Sequence, residues 1–212
     1  MEAISQNGLQ SPNTDYEAVY ALAKEKKEFQ RDMGWFGKYC FPKALAKDTP
    51  PFHRDIYKYL KDADMGRVLI AAPRGTAKST VCSLIYPMYK LAYKRPEEDL
   101  FIVIISESQA QSINFLSRIK YHLEHSDNFI DIFGDFGSST ARRWTGSDII
   151  LKNGARVIAV GTGQRVRGFI EGDTRPNVII VDDFESELNA LTAEARTKNR
   201  KWMTEAVIPS LS

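Results

Sequence analysis

Short apolar runs alternate with amphipathic stretches along the chain, and the spacing within each predicts its element. "PPFHRDIYKYLKD" (50–62) opens on prolines, then sets Ile56, Tyr57 and Leu60 at helical intervals. "RVLIAAP" (67–73) reads as a short strand after Gly66, and "STVCSLIYPMYKLAY" (79–93) as a buried helix that Pro87 kinks or interrupts. "LFIVIIS" (100–106) is nearly continuous in apolar residues, as a central parallel strand is. Ser106 and Gln109 make a capping-box pattern for a helix with Ile113, Leu116, Ile119 and Leu123 on one face. "DIILKNGARVIAVG" (148–161) reads as a hairpin turning at Asn153-Gly154. "NVIIVDDFES" (177–186) reads as a second central strand that ends in acids, and a charged helix over roughly 192–206 precedes Pro209.

The remaining segments carry weaker patterns. Residues 1–14 are polar and turn-rich, a flexible leader; 15–31 suggest a charged helix starting near Thr14 or Asp15; 33–48 suggest short helices or irregular chain. These give an N-terminal helical segment over 15–50 and a core over 51–212. "GTGQRVRGFIEGDTRP" (161–176) reads as a loop or strand edge. The order strand, loop, helix, strand, helix, hairpin, strand predicts an α/β fold with a mostly parallel central sheet flanked by helices. In such sheets ligands sit beyond the carboxyl ends of the strands.

Composition changes this picture little. The chain has 212 residues and a formal net charge of +2, so it suits one sizeable α/β domain, and its overall charge neither requires nor excludes nucleic acid. Its two cysteines, Cys40 and Cys82, lie far apart, which argues against a thiolate metal site and suits a reducing compartment. No signal-peptide core and no run of ~18 apolar residues is evident, so the expectation is a protein of the cytoplasm with no membrane partner.

"AAPRGTAKST" (71–80) changes it more. Lys78-Ser79 ends a pattern close to the phosphate-loop fingerprint, except that alanine stands at 72 and 77 where glycine is expected. Such a loop, residues 73–80 (Pro73, Arg74, Gly75, Thr76, Ala77, Lys78, Ser79 and Thr80), meets a triphosphate with backbone N–H groups, a helix start and a lysine. Lys78 is expected at the β- and γ-phosphates, Arg74 as a second cation, and the Ser79 hydroxyl on Mg²⁺. The alanines are tolerable if Ala72 closes the strand and Ala77 opens the helix, both at negative φ, with Gly75 alone needing positive φ. The acids supply a complement: "VIIV" delivers Asp182 to hold Mg²⁺, with Asp183 or Glu185 left to activate water.

With "PRGTAKST" as a deviant Walker A, "VIIVDDFE" as Walker B and "GTGQRVRG" leading into the latter, the chain over roughly residues 40–210 resembles the N-terminal ATPase domain of a tailed-phage terminase large subunit. The resemblance implies an ASCE-type P-loop NTPase that binds ATP and Mg²⁺ and drives double-stranded DNA into a prohead. It implies a homo-oligomeric ring on the portal protein, a terminase small subunit as partner, and the host cytoplasm as location. It assigns Lys78 and Ser79 to Walker A, Asp182 to Walker B, and Arg74 to phosphate sensing. The family places a glutamate directly after the Walker B aspartate; here Asp183 stands there and Glu185 follows. "PPFHRDIY" resembles the adenine-contacting segment, which gives His53 that role with Phe52 beside it.

Arg165 and Arg167 then become candidates for an arginine finger or a DNA phosphate contact, and Arg142 and Arg143 beside Trp144 for an interface or a DNA contact. His122 and His125 lack an acidic or cysteine partner at ligand spacing. The family continues through a coupling motif and a nuclease domain, so the sheet is expected to be incomplete at the C-terminus and the chain to lack nuclease activity. The competing readings are a P-loop helicase or other nucleic-acid remodelling ATPase, and an interaction domain with a decayed loop.

Overall fold

The computed structural model describes residues 32–45, 50–62, 66–164, 166, 174–185 and 192–211. The leader, the helix expected over 15–31, Arg165 and Arg167 lie outside these residues. Helix α1 (Met33–Cys40) starts at Asp32, whose Oδ1 accepts from the Gly34 and Trp35 amides at 2.8 and 3.1 Å. It buries Met33, Phe36 and Cys40. Helix α2 (Pro51–Asp62) buries Ile56, Tyr57 and Leu60, the face its spacing predicts.

The next helical stretch, α3, runs through Lys78–Thr80, a wider π turn at Val81–Ile85, and Tyr86–Ala92. Pro87 neither ends it nor stands alone as a break. It has no N–H to give the turn before it, and that turn is widened, with the Tyr86 amide reaching back to the Val81 carbonyl. Helix α4 (Gln109–His125) is capped by Ser108, whose hydroxyl accepts from Gln111 N at 3.2 Å. Ser106, the expected cap, is instead the buried last residue of a strand. Helix α5 (Asp127–Phe133) follows, and α6 (Ala193–Trp202) continues into turns that carry Pro209.

The described residues hold a five-stranded mixed sheet in the order β2 (Arg143–Trp144), β3 (Asp148–Ile150), β4 (Arg156–Gly161), β1 (Phe101–Ser106), β5 (Val178–Val181). Strand β1 pairs in parallel with β4 and with β5, whereas β2, β3 and β4 pair antiparallel. The hairpin turns where Asn153-Gly154 predicts, with Gly154 at φ 80° and Leu151 N donating to Ala155 O at 2.8 Å. Asp148 braces it by pairing with Arg143 and Arg156 at 2.8 and 2.9 Å.

Every residue of β1 is buried, and their alternation splits the core. Ile102 and Ile104 join the larger cluster with α1, α2, α3, α4 and α5, while Phe101, Val103 and Ile105 face Val166 and Val207 on the other side. Each such Ile or Val contributes roughly 1.5–3 kcal/mol by leaving water. The sheet ends close to α4: a Cβ on Gly161 would lie 2.6 Å from Gln109 N, so that position takes no side chain.

Two expectations about strands change. Residues 67–73 form no strand; Leu69 is 95 % exposed and Val68 41 %. An apolar run becomes a strand only with a hydrogen-bonding partner beside it, and among the described residues no strand pairs with this run. Among the described residues β5 pairs only with β1, with Val181 40 % exposed, so it is an edge there rather than a central strand. The sheet is therefore mixed and not mostly parallel. No described helix is long and apolar enough to cross a membrane.

Candidate functional site

The loop over residues 73–80 lines a cavity of about 900 Å³ together with Glu107, Gln111, Asp183 and Glu185. Its backbone follows from two left-handed positions. Gly75 has φ 81°, as expected, and Ala77 has φ 57° and ψ 22°, which overturns the expected helical Ala77. Ala72 keeps negative φ, since among the described non-glycine residues only Ala77 and Asp183 are positive. From Gly75 to Lys78 the sign of φ thus alternates. Such alternation turns successive N–H groups toward one concave side, a nest for anions. The left-handed turn at Ala77 costs about 1–2 kcal/mol.

The loop is tied at several points. Thr76 Oγ1 donates to Pro73 O at 2.6 Å. Lys78 Nζ donates to Ala72 O at 3.0 Å, so the lysine folds over the loop it ends. Arg74 is exposed. The Thr76 carbonyl is 2.6 Å from His53 Nε2, which reaches it from α2.

The acids arrive from β5. Asp182 N donates to Ile105 O, and Asp182 is 9 % exposed. Its Oδ1 accepts from Ser79 Oγ at 3.2 Å and its Oδ2 from Ser83 Oγ at 2.6 Å. The loop and the acidic strand end, 103 residues apart, thereby meet. Burial pushes the neighbouring Cys82 thiol up to about 12; Asp182 adds to that rise and Lys78 opposes it, so both charges act on one place.

Past Asp182 the chain turns at Asp183, with φ 48°. The Asp183 carbonyl accepts from Glu107 N at 2.9 Å, and its Oδ2 from Gln111 Nε2 at 3.4 Å. Glu185 Oε1 accepts from Asn199 Nδ2 on α6 at 3.3 Å. Phe184 stacks on Trp202, whose Nε1 donates to Gln164 O at 3.0 Å.

The structure thus brings together Pro73, Arg74, Gly75, Thr76, Ala77, Lys78, Ser79, Thr80, Asp182, Asp183 and Glu185. It places His53, 5 % exposed, behind the loop and outside the described lining of the cavity; Phe52 packs edge-on against it. Arg143 is engaged by Asp148, and Lys120 lies over Trp144 at 5.0 Å. His122 bonds Ser126 Oγ and His125 bonds Tyr121 O.

Three participants escaped sequence reading: Glu107, Gln111 and Ser83. Glu107 carried a usable signal, since it follows β1 as Asp182 follows β5, at adjacent parallel strand ends. Ser83 carried none, because its role depends on one helical turn lying over Asp182.

The Ser79 hydroxyl and Asp182 carboxylate form an oxygen-only pair beside the loop. That donor set fits Mg²⁺, which takes one or two protein ligands and completes its shell with phosphate oxygens and water. Among the described residues no group of three or more His, Cys, Asp or Glu side chains is placed to hold a metal alone. No protein-family model matches the chain, and no curated protein matches it.

Proposed function

We propose that the chain is a P-loop ATPase domain that binds ATP·Mg²⁺ at residues 73–80 and hydrolyses the terminal phosphate. The observation that carries this reading is the Ser79–Asp182 hydrogen bond, which joins an anion-binding turn to a buried carboxylate across 103 residues. The loop amides receive the phosphate chain, and Lys78 leaves Ala72 O to offset its charge. Ser79 and Asp182 would hold a magnesium ion, which when bound would neutralise charge on the phosphate oxygens.

Glu107, Asp183 and Glu185 line the cavity. A water oxygen attacks the terminal phosphorus, the bridging P–O bond breaks, and ADP leaves with the electron pair. The water proton passes to Asp183 or Glu185. Their amide partners, Gln111 and Asn199, fix where each carboxylate waits.

The wider role proposed is that of a DNA-packaging motor in a phage terminase large subunit. It rests on the sequence resemblance, with double-stranded DNA, a portal protein and a small subunit as partners. In a phosphate-release assay, Lys78→Ala is expected to lower turnover at least about a hundredfold. Normal turnover by that variant would remove the assigned site. Asp183→Asn and Glu185→Gln in the same assay are expected to differ sharply, and the greater loss identifies the proton acceptor. ATP-driven movement of a duplex that stays paired would separate a packaging motor from a helicase.

A further inference from the structure

We infer that His53 is a positioning residue for the phosphate loop and does not read the nucleotide base. The inference rests on the proposed phosphate site but makes a separate claim about how that site is held. Thr76 is the loop residue between the two left-handed positions, Gly75 and Ala77. Its carbonyl has no hydrogen to give, so the 2.6 Å contact requires His53 Nε2 to carry the proton. The imidazole that donates it is 5 % exposed, set on α2 and packed edge-on against Phe52 and Tyr57.

A buried donor on a rigid helix fixes the direction of the Thr76 carbonyl, and with it the peptide plane that carries the Ala77 N–H. The same bond offsets part of the strain at Ala77. Without it, the alternating turn loses this support against a relaxed one with Ala77 at negative φ. An imidazole that is 5 % exposed and gives its Nε2 proton to a main-chain carbonyl has that nitrogen committed to the loop rather than to an adenine.

The test uses the full chain and two variants. His53→Gln keeps an N–H at similar reach; His53→Met keeps the volume and removes the donor. Hydrogen exchange of the loop amides at 75–79 is measured in the free protein, and binding of ATP, GTP and inorganic tripolyphosphate is measured with Mg²⁺. With His53→Met the loop amides are expected to exchange about tenfold faster, and all three ligands to bind about tenfold more weakly. His53→Gln is expected to stay within about threefold of wild type.

Unchanged loop exchange in His53→Met would overturn the inference. So would a loss confined to ATP with tripolyphosphate unaffected, which would return His53 to a base-reading role. If the wild type binds none of the three ligands, the nucleotide site falls, while the exchange comparison still decides whether His53 anchors the loop.

Discussion

Ser83 donates a 2.6 Å hydrogen bond to Asp182 across 99 residues, and both side chains are buried. A carboxylate in that position needs donors, because it has little access to water. Ser79 supplies the other at 3.2 Å, the longer of the two. The division suggests different duties: Ser83 holds the acid in place, and Ser79 is the partner that a metal ion would recruit.

Ser83→Ala should therefore destabilise the fold by about 2 kcal/mol, the usual loss for a buried hydrogen bond to a charged group. Urea denaturation measures it, as a lower midpoint with an unchanged slope. An unmoved midpoint would mean that Asp182 is held by other means.

Ala77 and Gly75 make opposite predictions from the same cause. Ala77 sits at φ 57°, where an L side chain is strained, so Ala77→Gly should raise stability by about 0.5–1 kcal/mol after the added freedom of the unfolded chain is subtracted. Gly75 sits at φ 81° with open space around it, since a Cβ there would meet nothing within 4 Å. Gly75→Ala should lower stability by about 1 kcal/mol through backbone strain alone. The two denaturation midpoints, moving in opposite directions, check the alternating turn.

These positions also show how far the sequence could be read. The Asn153-Gly154 turn, the buried stripe of α4 and the convergence of Ser79 with Asp182 were legible because each follows from local spacing or from where strands end. Ala77 was not: the residue before a helix takes its φ from the turn it must close, and alanine's helical preference is worth less than that closure. Residues 67–73 were misread for the converse reason, since apolarity marks a strand only where a ladder partner lies alongside. Ser106 and Ser108 differ by two positions, and no local signal decides which leaves the sheet. His53 was marked by sequence as an adenine contact, whereas its contact with the Thr76 carbonyl depends on how α2 meets the loop, which no local pattern encodes.

His122 gives a prediction in pH. Its imidazole packs on Phe41 at 4.7 Å, bonds Ser126 Oγ through Nδ1 at 2.7 Å, and is pushed down from 6.5 to about 4, first by burial and then by the nearby Arg118 charge. A group held below its unfolded value binds its proton later in the folded state than in the unfolded one. As pH falls through about 6.5, the unfolded chain protonates while the folded chain does not, and stability declines. The decline continues to about 4, below which both states are protonated and this contribution is spent. Above 6.5 the neutral imidazole contributes fully. Urea midpoints measured from pH 4 to 8 for wild type and His122→Asn should therefore converge as pH falls, because only the wild type carries this titration. A difference between the two proteins that stays constant across the range would show that His122 titrates alike in both states.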